Sequence, residues 1–153
     1  MNLRELIDKK YKSSIKSRNT DEINTFRLIR SAIKYKDLEN RASSDSNEIN
    51  DEQILNVLQS LVKQRKDSIV SFKEVSRDDL VAKESKEIEI ISQFLPKQLS
   101  AEEIKNIIGK FISDNNIESV KEMGKVMGFL KMKNVGSIDM SLASKIAKEL
   151  LGS

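Results

Sequence analysis

The lysines are the residues of this chain whose chemistry most clearly suggests a function. After Leu95 the sequence has nine lysines and seven acidic residues, and four of the lysines, Lys121, Lys125, Lys131 and Lys133, lie close together. On a helix, Lys121 and Lys125 are one turn apart and share a face, so both could approach one track of phosphates. Such contacts release the counterions that condense on nucleic acids, and binding by this chemistry weakens steeply as salt rises.

Two glycines lie among these lysines, at positions that fall on one face of the same predicted helix. Gly124 and Gly128 are four residues apart, and each lowers helix propensity by about 1 kcal/mol relative to alanine. A helix tolerates this loss where another backbone or a ligand must come close. The sequence leaves both explanations open, namely packing of a neighbouring helix and close approach of a ligand.

The composition excludes several kinds of catalytic and metal site. The chain has no cysteine and no histidine, which removes thiolate nucleophiles, imidazole bases and zinc sites that need either residue. It contains no glycine-rich phosphate loop and no G-x-S-x-G elbow. Paired acids such as Asp78-Asp79 and Glu102-Glu103 stand at predicted helix starts, where the helix dipole explains them. We therefore predict no catalytic residue, no metal site and no cofactor.

A single proline divides the chain. Pro96 cannot donate a backbone hydrogen bond and disfavours helical geometry in the residue before it, so the helix through residues 87–94 must stop here. Ser100 and Glu103 form a capping-box pattern that starts a new helix directly afterwards. We predict an all-α protein with an N-terminal domain of helical hairpins or a bundle at 1–95 and a three-helix C-terminal domain at 96–153. A helix-to-helix turn inside one domain is the alternative.

Apolar residues at three- and four-residue spacing predict four helices before the proline. We expect Thr20 or Asp21 to cap the second helix, with Leu38 a candidate for its inner face. Asn50 and Gln53 should cap the third, which should be the longest or second longest helix. The expected cap of the fourth helix is the segment Ser76-Arg77-Asp78-Asp79.

Two polar stretches in this region are interpreted as a loop and as the solvent-facing side of a helix. Residues 41–47 carry small polar side chains that compete for backbone hydrogen bonds, which predicts a mobile loop. The run at 63–68 predicts a charged solvent face of the third helix.

Three more helices are predicted after the proline. The first carries an apolar stripe that includes Phe111. Residues 119–122 resemble a second capping box, residues 134–137 a turn, and Asp139 is placed to cap the last helix.

Charge is distributed unevenly near the N-terminus. Residues 1–36 hold ten basic and four acidic side chains, whereas residues 37–58 hold one basic and six acidic. A solvated charged surface explains this, and a basic first hairpin could also meet phosphates. The first residues lack the apolar core of a signal peptide and no run approaches a membrane span, so we expect a soluble, cytoplasmic protein.

Two stretches carry a resemblance to a known family. One comprises residues 61–68, 77–80, 87–91 and 95–100, and the other is Met123-Gly124-Lys125-Val126-Met127-Gly128 with Lys131, Gly136 and Asp139. Together they resemble the GatB/YqeY family, specifically its free-standing YqeY-like members, over essentially the whole chain. The sequence departs from the usual pattern at Ile138, where the family generally has a small residue.

The resemblance implies a helical N-terminal region followed by a small three-helix domain similar to the tail of the tRNA-dependent amidotransferase B subunit. That tail is associated with engaging tRNA, while ATP and acyl-group chemistry belong to other parts of the enzyme. By resemblance, the residues expected to contact nucleic acid are Lys97, Lys125, Lys131 and Lys133, with Gly124 and Gly128 allowing close approach. The clustering of lysines adds Lys121 to this set.

The function expected from the resemblance is a tRNA-binding or translation-associated module without its own active site. The expected partners are tRNA and components of an amidotransferase or an aminoacyl-tRNA synthetase, with no membrane. One alternative is a free-standing component of a carbon–nitrogen ligase that uses glutamine as amido donor. Another is a protein-interaction adaptor that uses the apolar grooves between helices. The oligomeric state and the role of the acidic segment 42–50 stay open.

Overall fold

The computed structural model describes residues 1–43, 48–134 and 136–152, and these residues form helices, turns and connections without a strand. The prediction of an all-α fold is confirmed. The helices in chain order are α1 (Leu3–Ser17), α2 (Thr20–Ser43), α3 (Asp51–Glu74), α4 (Asp78–Ser92), α5 (Ala101–Asp114), a single 3-10 turn (Val120–Glu122), α6 (Met123–Lys133) and α7 (Met140–Leu150). No described helix is both long and apolar enough to cross a membrane.

The chain divides into two compact units, Met1–Leu95 and Pro96–Ser153. Each unit has its own cluster of buried apolar side chains. Between them, α4 ends at Ser92 and α5 begins at Ala101, so no helix continues through Pro96. The assignment of the two units as separate domains stays a prediction.

In the first unit, α1 and α2 form a hairpin around a two-residue link. Arg18 adopts the left-handed conformation with φ 55°, and Asn19 Oδ1 accepts a hydrogen bond from the Glu22 N–H at 3.1 Å. The cap of α2 is therefore Asn19, and the expectation of Thr20 or Asp21 is wrong because Thr20 already lies in the helix.

The hairpin and α3–α4 share one core. Apolar residues from all four helices, from the connection before α3 and from the segment after α4 fill it: Ile7, Phe26, Ile29, Ile33, Ile49, Ile54, Val57, Leu58, Val62, Ile90, Ile91 and Phe94. Asn50 and Gln53 form the expected capping box at α3. The helices α2 and α3 have 24 residues each, which confirms that α3 is among the two longest.

The end of α2 differs from the prediction. The helix continues to Ser43, so residues 41–43 are helical rather than part of a loop, and residues 44–47 lie outside the described residues. Leu38 is 54% exposed, which contradicts its candidate place in the core. The inner position one turn after Ile33 is taken by Asp37, whose carboxylate pairs with Arg4.

The start of α4 also differs from the prediction. Ser76 adopts the left-handed conformation with φ 55°, and Arg77 stands at the cap position without a side-chain capping bond. Instead the Arg77 guanidinium donates to both carboxylate oxygens of Asp79, at 3.1 Å each. The chain reversal at Ser76 takes its hydroxyl away from the role that the sequence suggested.

A nearly buried ion pair joins α3 to α4. Arg65 Nε donates to Glu87 Oε2 at 2.8 Å, and Arg65 Nη1 donates to the Leu61 carbonyl at 2.9 Å. The two charged side chains are only 10% and 12% exposed. The interpretation of residues 63–68 as a wholly solvent-facing run is therefore wrong at Arg65, because its partner comes from the next helix.

Removing one member of this pair should destabilise the first unit strongly. We expect Glu87→Leu to lower the free energy of unfolding by about 3 to 5 kcal/mol, because Arg65 then keeps a charge away from water with one carbonyl as partner. The double variant Arg65→Met with Glu87→Leu should recover most of that loss. Urea denaturation followed by circular dichroism measures both, and Arg77→Ala, at an exposed pair, is the control with little effect.

The pair of Arg4 and Asp37 joins α1 to the end of α2. Arg4 donates to both Asp37 oxygens at 3.0 and 2.9 Å, and the Ile49 N–H donates to the same carboxylate at 2.9 Å. Burial acts to raise the pKa of Asp37, but the hydrogen bonds from Arg4 and Ile49 outweigh it, so the pKa lies below its usual value. The ionised carboxylate therefore stabilises the fold.

This shift gives the stability a defined dependence on pH. Since the folded-state pKa of Asp37 is depressed, its contribution is present above the ordinary aspartate pKa of about 4 and is lost as pH falls through the folded value. We expect Asp37→Asn to unfold at lower urea than the parent at neutral pH, and the difference to shrink below pH of about 4. Asp67→Asn, at an exposed position of α3, is the matched control. A difference that stays constant as pH falls would contradict this account.

The second unit packs α5, α6 and α7 around a small core of their apolar faces and neighbouring residues: Ile104, Ile108, Ile117, Val126, Leu130, Ile138, Ala143, Ile146 and Ala147. Ser100 and Glu103 form the expected capping box of α5. Asp139 Oδ1 accepts from the N–H groups of Ser141 and Leu142 at 2.9 and 3.3 Å, as expected for the cap of α7.

Two local features of this unit were not expected from the sequence. Ser119 Oγ accepts from the Lys121 N–H, and Glu122 accepts from the Glu118 N–H, both at 3.1 Å. These bonds build a 3-10 turn rather than the predicted capping box, since each partner is displaced by one residue. Ile138 is 2% exposed in the core, so the large side chain at this departure from the family pattern serves packing.

Candidate nucleic-acid interface

The exposed face of α6 carries lysine side chains beside two glycines, which have no side chain to cover the backbone. Val126 and Leu130 turn into the core and are fully buried, whereas Gly124, Gly128, Lys125 and Lys131 are exposed. With about 3.6 residues per turn, the two glycines lie between Lys131 on one side and Lys125 on the other. We call this surface, formed by the two glycines and these two lysines, the α6 face.

The glycines of the α6 face have open space in front of them. Apart from the chain neighbours and the backbone of its own helix, a Cβ atom built on Gly124 or Gly128 meets no heavy atom within 4 Å in the part of the chain that the structure describes. The interpretation that a neighbouring helix packs closely against this pair is therefore wrong. The helix backbone is accessible here along one full turn.

Lys125 is held by a neighbouring carboxylate. Its Nζ lies 3.4 Å from Glu122 Oε1, and the Glu122 carboxylate also accepts the Glu118 N–H at 3.1 Å. The Glu118 N–H, with a smaller contribution from Lys125, holds the pKa of Glu122 below its usual value. The ammonium group is nevertheless open to solvent, because the Lys125 side chain is 68% exposed.

Lys121 does not share a helix with Lys125. It is exposed, but it belongs to the 3-10 turn that precedes α6. The spacing of an α-helix therefore does not relate the two lysines, and the predicted common face of Lys121 and Lys125 on one helix is wrong. The cause is the cap at Ser119, which tightens the chain before α6 begins.

Lys133 lies against a pair of stacked aromatic rings. The Phe111 and Phe129 ring centroids are 4.4 Å apart with 20° between the planes, and Lys133 Nζ is 5.6 Å from the Phe129 centroid. Both rings are half-buried. The sequence placed Phe111 in the core stripe and missed this stack, although Phe129 lies one helical turn before Lys133.

Lys97 lies in the connection that precedes α5. This connection is fixed to the turn between α6 and α7, since Leu99 N donates to Ser137 O at 2.9 Å and Gln98 Nε2 to Gly136 O at 2.6 Å. Lys97 is exposed, and its charge contributes to the lowered pKa of Glu103, after the larger effect of the Ser100 N–H. Lys97 thus belongs to the same unit as the α6 face but to a different element.

The structure therefore brings together four of the seven residues that the sequence singled out. Gly124, Gly128, Lys125 and Lys131 form one surface. Lys121, Lys133 and Lys97 are contributed by the 3-10 turn, the ring stack and the connection before α5. A surface of two lysines beside open backbone can make charge contacts and admit a phosphate chain closely.

Comparison with known proteins identifies the family. A family model described as Yqey-like protein matches residues 4–151, which is nearly the whole chain. The chain belongs to the YqeY-like family. This match confirms the resemblance that residues 61–100 and 123–139 indicated.

Two curated proteins are similar to this chain in sequence. A Schizosaccharomyces pombe protein described as uncharacterized is 36% identical over 100 residues, which is 65% of this chain and 76% of that protein. Altered inheritance of mitochondria protein 41, mitochondrial, from Clavispora lusitaniae is 34% identical over 105 residues. That match covers 67% of this chain but only 58% of the Clavispora protein. A cytoplasmic location for this YqeY-like chain stays a prediction.

Replacing the two glycines should test the openness of the α6 face. We expect Gly124→Ala with Gly128→Ala to raise the free energy of unfolding by about 1 kcal/mol for each site, because alanine favours the helix and the new methyl groups meet no neighbour. Thermal and urea denaturation of the full chain measure this. Destabilisation would mean that something packs against the two positions.

Proposed function

We propose that this YqeY-like protein is a tRNA-binding, translation-associated helical module that contacts its ligand through the α6 face. The observation that carries the proposal is the position of Lys125 and Lys131 on either side of two glycines with open Cβ positions. Lysine charges supply attraction for phosphates, and the absent side chains let a phosphate chain come close to the helix.

The ion pair at Lys125 is compatible with this role. An exposed pair contributes little to stability, so Lys125 can exchange Glu122 for a phosphate at small cost. Each phosphate that a lysine neutralises releases condensed counterions, which favours association at low salt. Binding should therefore be mainly electrostatic.

The aromatic content of the second unit favours contacts to the backbone over contacts to bases. Phe111 and Phe129 are its only aromatic residues, and their rings are stacked on each other and half-buried. Few ring faces are left on which an unpaired base could stack. We expect similar affinity for different tRNA sequences.

The resemblance to the amidotransferase tail supports tRNA as the class of ligand. That tail is associated with engaging tRNA, and the segment that resembles it here includes Gly124, Lys125, Gly128 and Lys131. The name of the Clavispora relative refers to inheritance of mitochondria and specifies no ligand. The geometry of the α6 face and the resemblance therefore support the proposal together.

Filter binding of tRNA over a series of salt concentrations tests it. Lys125→Ala with Lys131→Ala should weaken binding similarly for different tRNAs and flatten the slope of log affinity against log salt by about two. The matched control is Lys145→Ala with Lys148→Ala, which removes the same charge from exposed positions of α7 in the same unit. The control should change the slope much less.

A second variant separates close approach from charge. Gly124→Ala with Gly128→Ala leaves the net charge unchanged and should still weaken tRNA binding, because methyl groups then cover the open backbone. Equal binding by the lysine variant, its control and the parent at every salt concentration would contradict the proposed use of the α6 face.

A role as a protein-interaction adaptor is the second candidate, and a cleft in the first unit favours it. Residues of α2 and α3 line a cleft of about 690 Å³ with Ala32, Val57 and Leu61 among its apolar residues. Tyr35 stands at this cleft and is 63% exposed. If the α6 variants bind tRNA like the parent, this cleft becomes the preferred functional surface.

A further inference from the structure

The first unit contains a second concave surface with an excess of positive charge. A cleft of about 530 Å³ lies between α1 and α2, a size typical of sites for small ligands. Its lining comprises four cationic residues, two carboxylates and three others: Arg4, Arg27, Arg30, Lys34, Asp8, Asp37, Ile7, Ser31 and Ile33. Clefts lined mainly by one sign of charge concentrate ions of the opposite sign.

Both carboxylates of the α1–α2 cleft are already engaged. Asp37 accepts two hydrogen bonds from Arg4, at 3.0 and 2.9 Å. Asp8 Oδ1 accepts from Arg30 Nε at 3.1 Å, and the Arg30 guanidinium also lies 4.5 Å from the Tyr11 ring centroid. Two of the four cations, Arg4 and Arg30, are therefore paired with the two acids of the cleft.

Two cations remain after this pairing. Among the described residues, neither Arg27 nor Lys34 contacts a carboxylate, and Arg27 Nε donates to the Tyr11 hydroxyl at 3.5 Å. Both side chains are exposed at the cleft. The pairing pattern leaves these two charges available to an anion from solution.

The unpaired cations are spaced along one helix. Arg27 and Lys34 are seven residues apart on α2, which corresponds to about 10 Å along the helix axis. Arg30 and the Ser31 hydroxyl lie between them in the lining of the cleft. This length exceeds one phosphate ion and suits an anion with several linked phosphate groups.

We propose that the α1–α2 cleft binds a chain of phosphate groups, with Arg27 and Lys34 contacting it at the two ends. An arginine can take a phosphate through two parallel N–H donors, and a lysine acts as a point charge. The phosphate chain can belong to a free oligophosphate or to a nucleic-acid strand, and the two sources share this chemistry. The site lies on a different unit from the α6 face and does not depend on the proposed function.

Isothermal titration with tripolyphosphate tests the free anion. Arg27→Gln with Lys34→Gln should weaken binding by more than about tenfold, because hydrogen bonds between charged groups are among the stronger contacts. The matched control is Lys66→Gln with Lys73→Gln, which removes two charges at the same seven-residue spacing from exposed positions of α3. The control should bind like the parent, and far-ultraviolet circular dichroism verifies that each variant is folded.

Tyr11 provides a local reporter of occupancy. The hydrogen bond from Arg27, together with the charges of Arg27 and Arg30, lowers the pKa of Tyr11 against the opposing effect of burial. In a Tyr35→Phe background Tyr11 is the only tyrosine, so its ionisation is followed by ultraviolet absorbance. A bound phosphate chain should offset the cationic charges and raise the Tyr11 pKa, and this rise should be absent without Arg27 and Lys34.

A second arm tests the nucleic-acid source with a double-stranded RNA hairpin in the Lys125→Ala, Lys131→Ala background. There, Arg27→Gln with Lys34→Gln should flatten the salt slope by a further amount of about two. Loss of tripolyphosphate binding supports the free anion, and loss of RNA binding alone supports a strand. If neither ligand distinguishes the cleft variant from the α3 control, the proposal is overturned, whatever the α6 variants show.

Discussion

Pro96 has no N–H to give to a helix, and its ring disfavours helical geometry at Leu95. After the proline, one backbone donor and one side-chain donor bond to the turn between α6 and α7. Leu99 N donates to Ser137 O, and the Gln98 side chain donates to Gly136 O. The break in the helix thus creates a connection that ties the start of the second unit to the far end of α6.

The orientation of α6 follows from the burial of its apolar face. Its apolar positions Val126 and Leu130 are fully buried against the faces of α5 and α7. The glycines and flanking lysines are then left on the side away from the core. The glycines weaken the helix, and since nothing in the described residues packs against them, packing does not offset that cost. Packing among the described residues therefore does not explain the two glycines, whereas the proposed close approach of a ligand would.

Some features that depend on a few neighbouring residues could be predicted from the sequence, whereas the caps expected at Thr20 or Asp21, at Ser76 and at Ser119 were wrong. The capping boxes at Asn50 and Ser100 and the cap at Asp139 were found because each is a local pattern of donor and acceptor. Partners far along the chain could not be found in this way. Arg65 was placed on the solvent face because its partner Glu87 lies 22 residues away on another helix. The ring of Phe129 was missed because its stacking depends on how α5 packs against α6.

The same distinction separates the two cationic surfaces. The α6 face lies on one helix, so the sequence could place Gly124 and Gly128 on one face, although it paired Lys125 with Lys121 rather than with Lys131. Counting ten basic and four acidic residues in 1–36 could not show which charges are left over in the α1–α2 cleft.

The ion pairs of the folded hairpin determine which cations of the α1–α2 cleft have no acidic partner. Arg4 and Arg30 take the carboxylates of Asp37 and Asp8 across the hairpin, which leaves Arg27 and Lys34 without a carboxylate contact among the described residues. A local excess of positive charge becomes a candidate binding site only when such pairing leaves several cations without an acidic partner along one wall of a cleft. The α1–α2 hairpin meets this condition because its two acids in the cleft contact Arg4 and Arg30. Neither acid contacts Arg27 or Lys34 in the described part of the chain.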